Sequence, residues 1–159
     1  MLALAYFTYI IIESSRNMDK YYFNYVRGID VKESLAKGYL TLTNAQTTRE
    51  ETIELKGKKA IVAFATWCEP CLEKLIQYND SVKPIDNVYF VSDERLELIQ
   101  QFQKKHGIKV PLHKDTSDLI NKFVDVLPTI LILKGDSVLY KVQGSLSYEG
   151  ILERVGRRD

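Results

Sequence analysis

Residues 64–74 read FATWCEPCLEK and contain both cysteines of this 159-residue chain, Cys68 and Cys71. The stretch begins inside a continuous apolar run, AIVAFA at 60–65, and leads into PCLEKLIQYNDSV at 70–82. An apolar run bounded by turn residues predicts a strand buried on both faces. The segment after it predicts a helix that packs through Leu72, Leu75, Ile76 and Tyr78. The two cysteines therefore fall where a strand hands over to a helix. In an open α/β sheet that carboxyl end of the strands is where functional groups gather.

The position suits dithiol chemistry. The first turn of a helix offers unpaired backbone N–H groups and a partial positive charge, which favour a thiolate at Cys68. The thiolate is the form that attacks a disulfide. Cys71, one turn later on the same face, can reach the resulting mixed disulfide and release the substrate. Pro70 falls in the first turn, where its missing N–H does little harm. Trp67 is expected to shelter the pair beneath a flat apolar lid. Glu69 sets a carboxylate between the thiols, where its charge opposes that of a Cys68 thiolate.

Other uses of two cysteines fit less well. Two structural cysteines can stand three apart by chance, but Trp67 and Pro70 around them argue against it. Zinc would need two more ligands, and the only histidines, His106 and His113, are separated by six residues, unlike common zinc modules. No metal site and no cofactor are expected. His106 reads as a solvated residue in a helix's last turn.

Further alternations of pattern fill out an α/β domain. YLTLT (39–43), TIELKGKK (52–59) and NVYFVS (87–92) read as strands, the second with its turn. RLELIQQFQKKHG (95–107) reads as a helix with Leu96, Ile99 and Phe102 inward and Gly107 as its C-cap. DTSDLINKFVD (115–125) predicts a shorter helix with an Asp or Ser/Thr N-cap. TILILK and VLYKVQG, joined by GDS, predict an antiparallel hairpin. SLSYEGILERVGR predicts a last helix, capped by Ser145 or Ser147. The expected core includes Val62, Phe64, Val88, Phe90, Ile130 and Ile132, in a mixed central sheet flanked by helices.

Composition is that of a globular protein, 45% hydrophobic and 27% charged, with a net charge of +1. That balance argues against a nucleic-acid partner, which calls for a clustered basic face. Arg154, Arg157 and Arg158 are read as the solvated last turn of the final helix. Residues 2–12, LALAYFTYIII, are apolar apart from Thr8 but short of the ~30 Å of a bilayer's hydrocarbon core. They lack the basic start and small-residue cleavage site of a signal peptide. We read residues 1–12 as a truncated membrane anchor, with an N-terminal segment packed on the domain as the alternative. Residues 13–38 read as a polar, tyrosine-rich connector, in which YYFNYV (21–26) is expected to form an amphipathic helix, and residues 39–159 as the domain.

Far from the cysteines, VDVLPTILIL places Pro128 directly before an apolar strand, a place a central strand would not tolerate. The combination of WCEPC with LPTILIL resembles the thioredoxin superfamily. The nearer likeness is to its membrane-anchored, extracytoplasmic TlpA/ResA-like thiol–disulfide oxidoreductases. HGIKVPLHKDTSDLINKF and KVQGSLSYEGI resemble later segments of that family, so the likeness spans about residues 52–154. It implies a thioredoxin-like fold, Cys68 as nucleophile and Cys71 as resolving thiol. It further implies a cis Pro128 beside them, with the backbone at Leu127 pairing to an extended substrate. One position departs from the pattern: the buried acid that thioredoxins carry five residues before the motif's tryptophan is here Val62.

The resemblance implies reduction of disulfides in extracytoplasmic proteins, including those of cytochrome c maturation. Its partners would be protein dithiol or disulfide substrates and a membrane or soluble electron-donor or acceptor protein, the chain acting as a monomer. The alternatives are an oxidase or isomerase for secreted peptides such as bacteriocins, a non-catalytic thioredoxin-fold binding module, and, for location, the cytoplasm.

Overall fold

The computed structural model describes residues 28–35, 37–80, 87–144 and 148–156. Eight strands form one sheet: β1 (Gly28–Ser34), β2 (Tyr39–Asn44), β3 (Glu50–Glu54), β4 (Lys58–Ala63), β5 (Val88–Ser92), β6 (Leu112–Asp115), β7 (Thr129–Lys134) and β8 (Ser137–Gln143). Among the described residues four helices flank it: α1 (Glu69–Asn79), α2 (Leu96–His106), α3 (Leu119–Phe123) and α4 (Tyr148–Gly156). The strand order is β1-β8-β7-β4-β5-β6-β2-β3. β4, β5 and β6 run parallel, whereas β7, β8, β1, β2 and β3 each pair antiparallel to a neighbour. The sheet is thus the mixed one expected.

Register explains why the apolar runs are continuous. Ala60 and Val62 of β4 face Val88 and Phe90 of β5 on one side and Ile132 and Ile130 of β7 on the other. These six residues, with Phe64, are buried together against α1, α2 and α4, as expected for all but Ala60, which joins them. The intervening residues, among them Ile61, Ala63, Val91, Leu131 and Leu133, form a second core on the opposite face with Leu119, Ile120 and Phe123 of α3. A strand covered on both faces has no use for polar alternation.

Rings fasten the helices to the first core. Phe64 meets Phe102 of α2 with centroids 6.1 Å apart, and Tyr78 of α1 meets Phe90 at 5.3 Å. Fully burying side chains of this size stabilises by roughly 1.5–3 kcal/mol each. α1 turns Cys71, Leu75 and Tyr78 inward, the i, i+4, i+7 stripe of one helix face. Ile76, expected inside, is instead 43% exposed, because it lies about 100° around the helix from Leu75.

α2 ends where expected, at Gly107 with φ 62°, a left-handed cap. His106, in its last turn, is half-buried and sets its ring 4.8 Å from that of Phe102. The short strand β6 and the length of α3 depart from expectation. β6 is only four residues, LHKD, and becomes a strand by pairing with β5 and β2 rather than by its own pattern. α3 begins late because Asp115 captures the chain before it: its carboxylate accepts the N–H groups of Ser117 (2.8 Å) and Ile120 (2.7 Å). Asp118, at the cap position, makes no capping bond of its own.

β1 lies within the stretch read as connector and pairs with β8, so the sheet starts at Gly28. The apolar residues 2–12, the segment 21–26, the caps Ser145 and Ser147, and Arg157 and Arg158 lie outside the described residues. Among the described residues no helix is long and apolar enough to cross a membrane.

Candidate active site

The end of β4 carries the chain into the site. Beyond the strand, Phe64 N–H still bonds Val91 O of β5 at 3.0 Å. The chain then turns tightly, with Ala65 O accepting Cys68 N–H at 3.1 Å. Cys68 is the N-cap of α1, with φ −86° and ψ 100°, and its carbonyl accepts Leu72 N–H at 3.1 Å as the first helical bond. Glu69 and Pro70 follow in the first turn, both exposed.

Cys68 and Cys71 are joined by a disulfide, their Cα atoms 5.2 Å apart. In this oxidised form both are buried, Cys68 at 5% exposure and Cys71 at 2%. Trp67 is not the expected lid. It is 75% exposed, since the turn that buries Cys68 throws its predecessor outward.

The segment containing Pro128 leaves the sheet at the same end, because Ala63 of β4 is paired with Thr129 of β7. The Leu127–Pro128 peptide bond is cis. Pro128 is buried, its carbonyl accepts Gly144 N–H at 2.8 Å, and Thr129 Oγ1 donates to Val126 O at 2.7 Å. The two loops wall a groove of about 240 Å³, with Ala65 and Trp67 on one side and Val124, Val126 and Leu127 on the other. Val126 is exposed on its rim, and the carboxylates of Asp93 and Asp125 stand along it. Asp125 is held by Lys141, which also donates to Phe123 O at 3.3 Å.

Val62 is buried, so no acid lies beneath the pair at that position. A different carboxylate reaches the site from the side. Glu94, just past β5, accepts Thr66 N–H at 2.6 Å and Thr66 Oγ–H at 2.9 Å. Neither Glu94 nor the groove carboxylates stood out in the sequence. The available signal was position: SDE directly follows the buried VYFV, at the same carboxyl end as Cys68. Among the described residues no group of three or more His, Cys, Asp or Glu side chains is placed to hold a metal ion.

Solved structures share this fold. The exposed lipoprotein thioredoxin Etrx1 of Streptococcus pneumoniae aligns with a TM-score of 0.61 at 19% identity, over 74% of this chain and 97% of that one. StoA of Bacillus subtilis aligns with a TM-score of 0.57 at 18% identity, over 72% and 94%. A Xanthomonas campestris peroxiredoxin Q aligns with a TM-score of 0.60 at 15% identity, over 79% and 96%. No curated protein matches the chain by sequence. The fold is that of the thioredoxin superfamily, and it presents a vicinal cysteine pair at a helix N-terminus. Residues 18–142 match the AhpC/TSA family, and the chain belongs to that family.

Proposed function

We propose that this chain is a thiol–disulfide oxidoreductase that reduces disulfides of extracytoplasmic proteins through Cys68 and Cys71. The observation that carries this reading is the Cys68–Cys71 disulfide at the N-terminus of α1, which makes a two-electron couple at a helix mouth. In the reduced protein, the Cys68 thiolate attacks one sulfur of a substrate disulfide. A mixed disulfide forms, and the other substrate sulfur leaves as a thiolate that takes up a proton. Cys71, as thiolate, then attacks the Cys68 sulfur and releases the second substrate thiol. Two electrons have passed to the substrate, and a dithiol protein must return them.

The groove between Trp67 and Val126 receives the polypeptide flanking the substrate cysteine. An extended segment pairs with the backbone at Leu127 and lays an apolar side chain between Trp67 and Val126. Asp93 and Asp125 on the rim favour a neutral or basic segment over an acidic one.

For location we propose a TlpA/ResA-like arrangement, with residues 1–12 as tether, a connector up to β1 and the redox domain on the extracytoplasmic side. The apolar start of the sequence supports it, as does the fold shared with an exposed lipoprotein thioredoxin. Maturation of c-type cytochromes is one process that needs such a reductant.

Turnover of insulin disulfides with dithiothreitol as electron source tests the activity. Wild type is expected to turn over and Cys68→Ser to be inactive. A redox potential near that of thioredoxin, ~ −270 mV, supports a reductase, whereas one near −120 mV points to an oxidase. A pair that neither reduces insulin nor exchanges with glutathione marks a binding module with a static disulfide. Consumption of hydrogen peroxide in place of insulin turnover, an activity to test given the fold shared with a peroxiredoxin Q, makes it a peroxidase.

A further inference from the structure

We propose that Glu94 is a positioning residue of the redox site, which holds the turn before Cys68 through Thr66 and so sets the distance at which the two thiols meet. The inference rests on the thiol–disulfide reading of Cys68 and Cys71.

Between Ala65 O and Cys68 N–H the chain makes a single tight turn, with Thr66 and Trp67 at its centre. In such a turn the N–H of the first central residue has no backbone partner. Glu94 supplies one with Oε2 at 2.6 Å, and its Oε1 accepts the Thr66 hydroxyl at 2.9 Å. Two bonds to one carboxylate fix both the peptide plane and the side chain of Thr66, and a charged acceptor strengthens them.

The carboxylate is itself held. Ser92 Oγ, fully buried at the end of β5, lies 3.3 Å from Glu94 Oε2 and accepts Glu94 N–H at 3.3 Å. From β6, Lys114 Nζ donates to Glu94 O at 3.0 Å and Asp93 O at 3.3 Å. The ends of three parallel strands thus converge on the turn that carries Cys68. Cys71 is fixed independently, buried in α1 against the first core. Cys68 packs in the same core, and its backbone is held by the turn and by the bond from Leu72 N–H to its carbonyl. Once the disulfide is reduced, the Glu94–Thr66 link restrains the turn before Cys68 and so helps keep its sulfur within reach of Cys71. The closeness of two thiols sets their effective concentration, and with it the stability of their disulfide.

Two substitutions separate reach from charge. Glu94→Asp keeps the carboxylate but withdraws it by one methylene. Glu94→Gln keeps the length and an oxygen for Thr66 N–H but removes the charge. The readout is the equilibrium of the reduced protein with glutathione disulfide, which yields the Cys68–Cys71 disulfide and two molecules of glutathione. Glu94→Asp is expected to lower this equilibrium constant by about threefold or more, with Glu94→Gln displaced by less than about threefold. Circular dichroism and the thermal midpoint show that both variants are folded. A Glu94→Asp value less than about threefold below wild type, or a Glu94→Gln value displaced as far as that of Glu94→Asp, overturns the proposal. The measurement needs no protein substrate. A failure of the proposed activity therefore appears in the wild-type insulin assay, and a failure of the Glu94 assignment appears in this one.

Discussion

Asn44 bridges His113 and Glu51 across the far half of the sheet. It is paired in register with His113 of β6, and its side-chain amide donates to Glu51 Oε1 of β3 at 2.9 Å. His113 Nε2 lies 3.5 Å from Glu51 Oε2, while its Nδ1 is 3.3 Å from Phe90 O. Carbonyl and carboxylate both only accept, so the protonated ring can donate to both partners and the neutral ring to only one of them. The ring is also edge-on to Tyr89, with centroids 5.9 Å apart. Burial pushes the His113 pKa below 6.5, and it outweighs the opposing pull of Glu51 and of the bond to Phe90.

The consequence is a loss of stability on mild acidification. With the folded pKa below the unfolded one, the unfolded chain binds a proton that the folded chain does not. Stability is then full above about pH 6.5 and falls as pH drops from there towards the folded pKa, at up to about 1.4 kcal/mol per pH unit for one proton. Urea midpoints of wild type and His113→Asn, compared between pH 7.5 and pH 5, check this. The wild-type midpoint should fall more steeply, and parallel curves refute the assignment.

The two cysteines should divide their roles. Cys68→Ser is expected to lower insulin turnover by roughly 100-fold or more, because no other thiol starts the reaction. Cys71→Ser should instead trap mixed disulfides with substrate, visible as a mass increase that dithiothreitol removes. In the reduced wild type, iodoacetamide should label Cys68 first, since it caps the helix mouth while Cys71 lies inside α1. Faster labelling of Cys71 reverses the assignment.

The groove should select by charge. Peptide disulfides with lysine beside an apolar residue are expected to show kcat/KM about threefold to tenfold above glutamate counterparts at low salt. The gap should narrow at 0.5 M salt, where exposed charges more than a few ångströms apart are screened. Asp93→Asn should shrink it further, whereas Asp125→Asn acts less because Lys141 already partners Asp125. Equal rates for both peptides remove Asp93 from recognition.

A glycine tests the frame without touching the chemistry. Gly107 closes α2 at φ 62°, and a Cβ placed on it meets nothing within 4 Å. Gly107→Ala therefore meets backbone strain alone, about 1–2 kcal/mol of lost stability. The glutathione equilibrium of Cys68 and Cys71 should not move. A variant as stable as wild type contradicts the left-handed cap.

These sites were not equally legible in the sequence. The strand–helix junction at Cys68 could be read because its signals are local: AIVAFA, then WCEPC, then an amphipathic stretch. The first core followed from the same runs, down to Val62, Phe64 and Ile130. β6 could not be read, because LHKD becomes a strand only through its neighbours. His113 gave no sign of burial for the same reason, yet pairing places it at 4% exposure. Glu94 is 28 residues from Thr66, and a carboxylate that closes a turn from that distance has no signature in one sequence. The direction of Trp67 failed for another cause, since it depends on the handedness of a single turn.

The carboxylate between the thiols is open to the last test. Glu69 is exposed at the start of α1, one residue after Cys68. Helix N–H groups can stabilise a Cys68 thiolate by about 0.3–1 kcal/mol where exposed and up to about 2 kcal/mol where partly buried. A carboxylate about 5 Å away repels the thiolate by roughly 3 kcal/mol at an effective dielectric of 20, and water around an exposed group removes much of that. What remains is comparable with the help of the helix, so Glu69 is expected to keep the reduced pair less acidic than the helix alone would make it. A thiolate denied that stabilisation leaves the dithiol form less favoured, and the couple donates electrons more readily. Glu69→Gln should therefore lower the Cys68 pKa, read from the pH dependence of iodoacetamide labelling, by about half a unit or more. It should also make the reduction potential less negative, by about 15 mV for each half unit, since 30 mV corresponds to about 1.4 kcal/mol in a two-electron couple. If neither quantity moves, Glu69 only starts the helix, as an acid in a first turn does by itself.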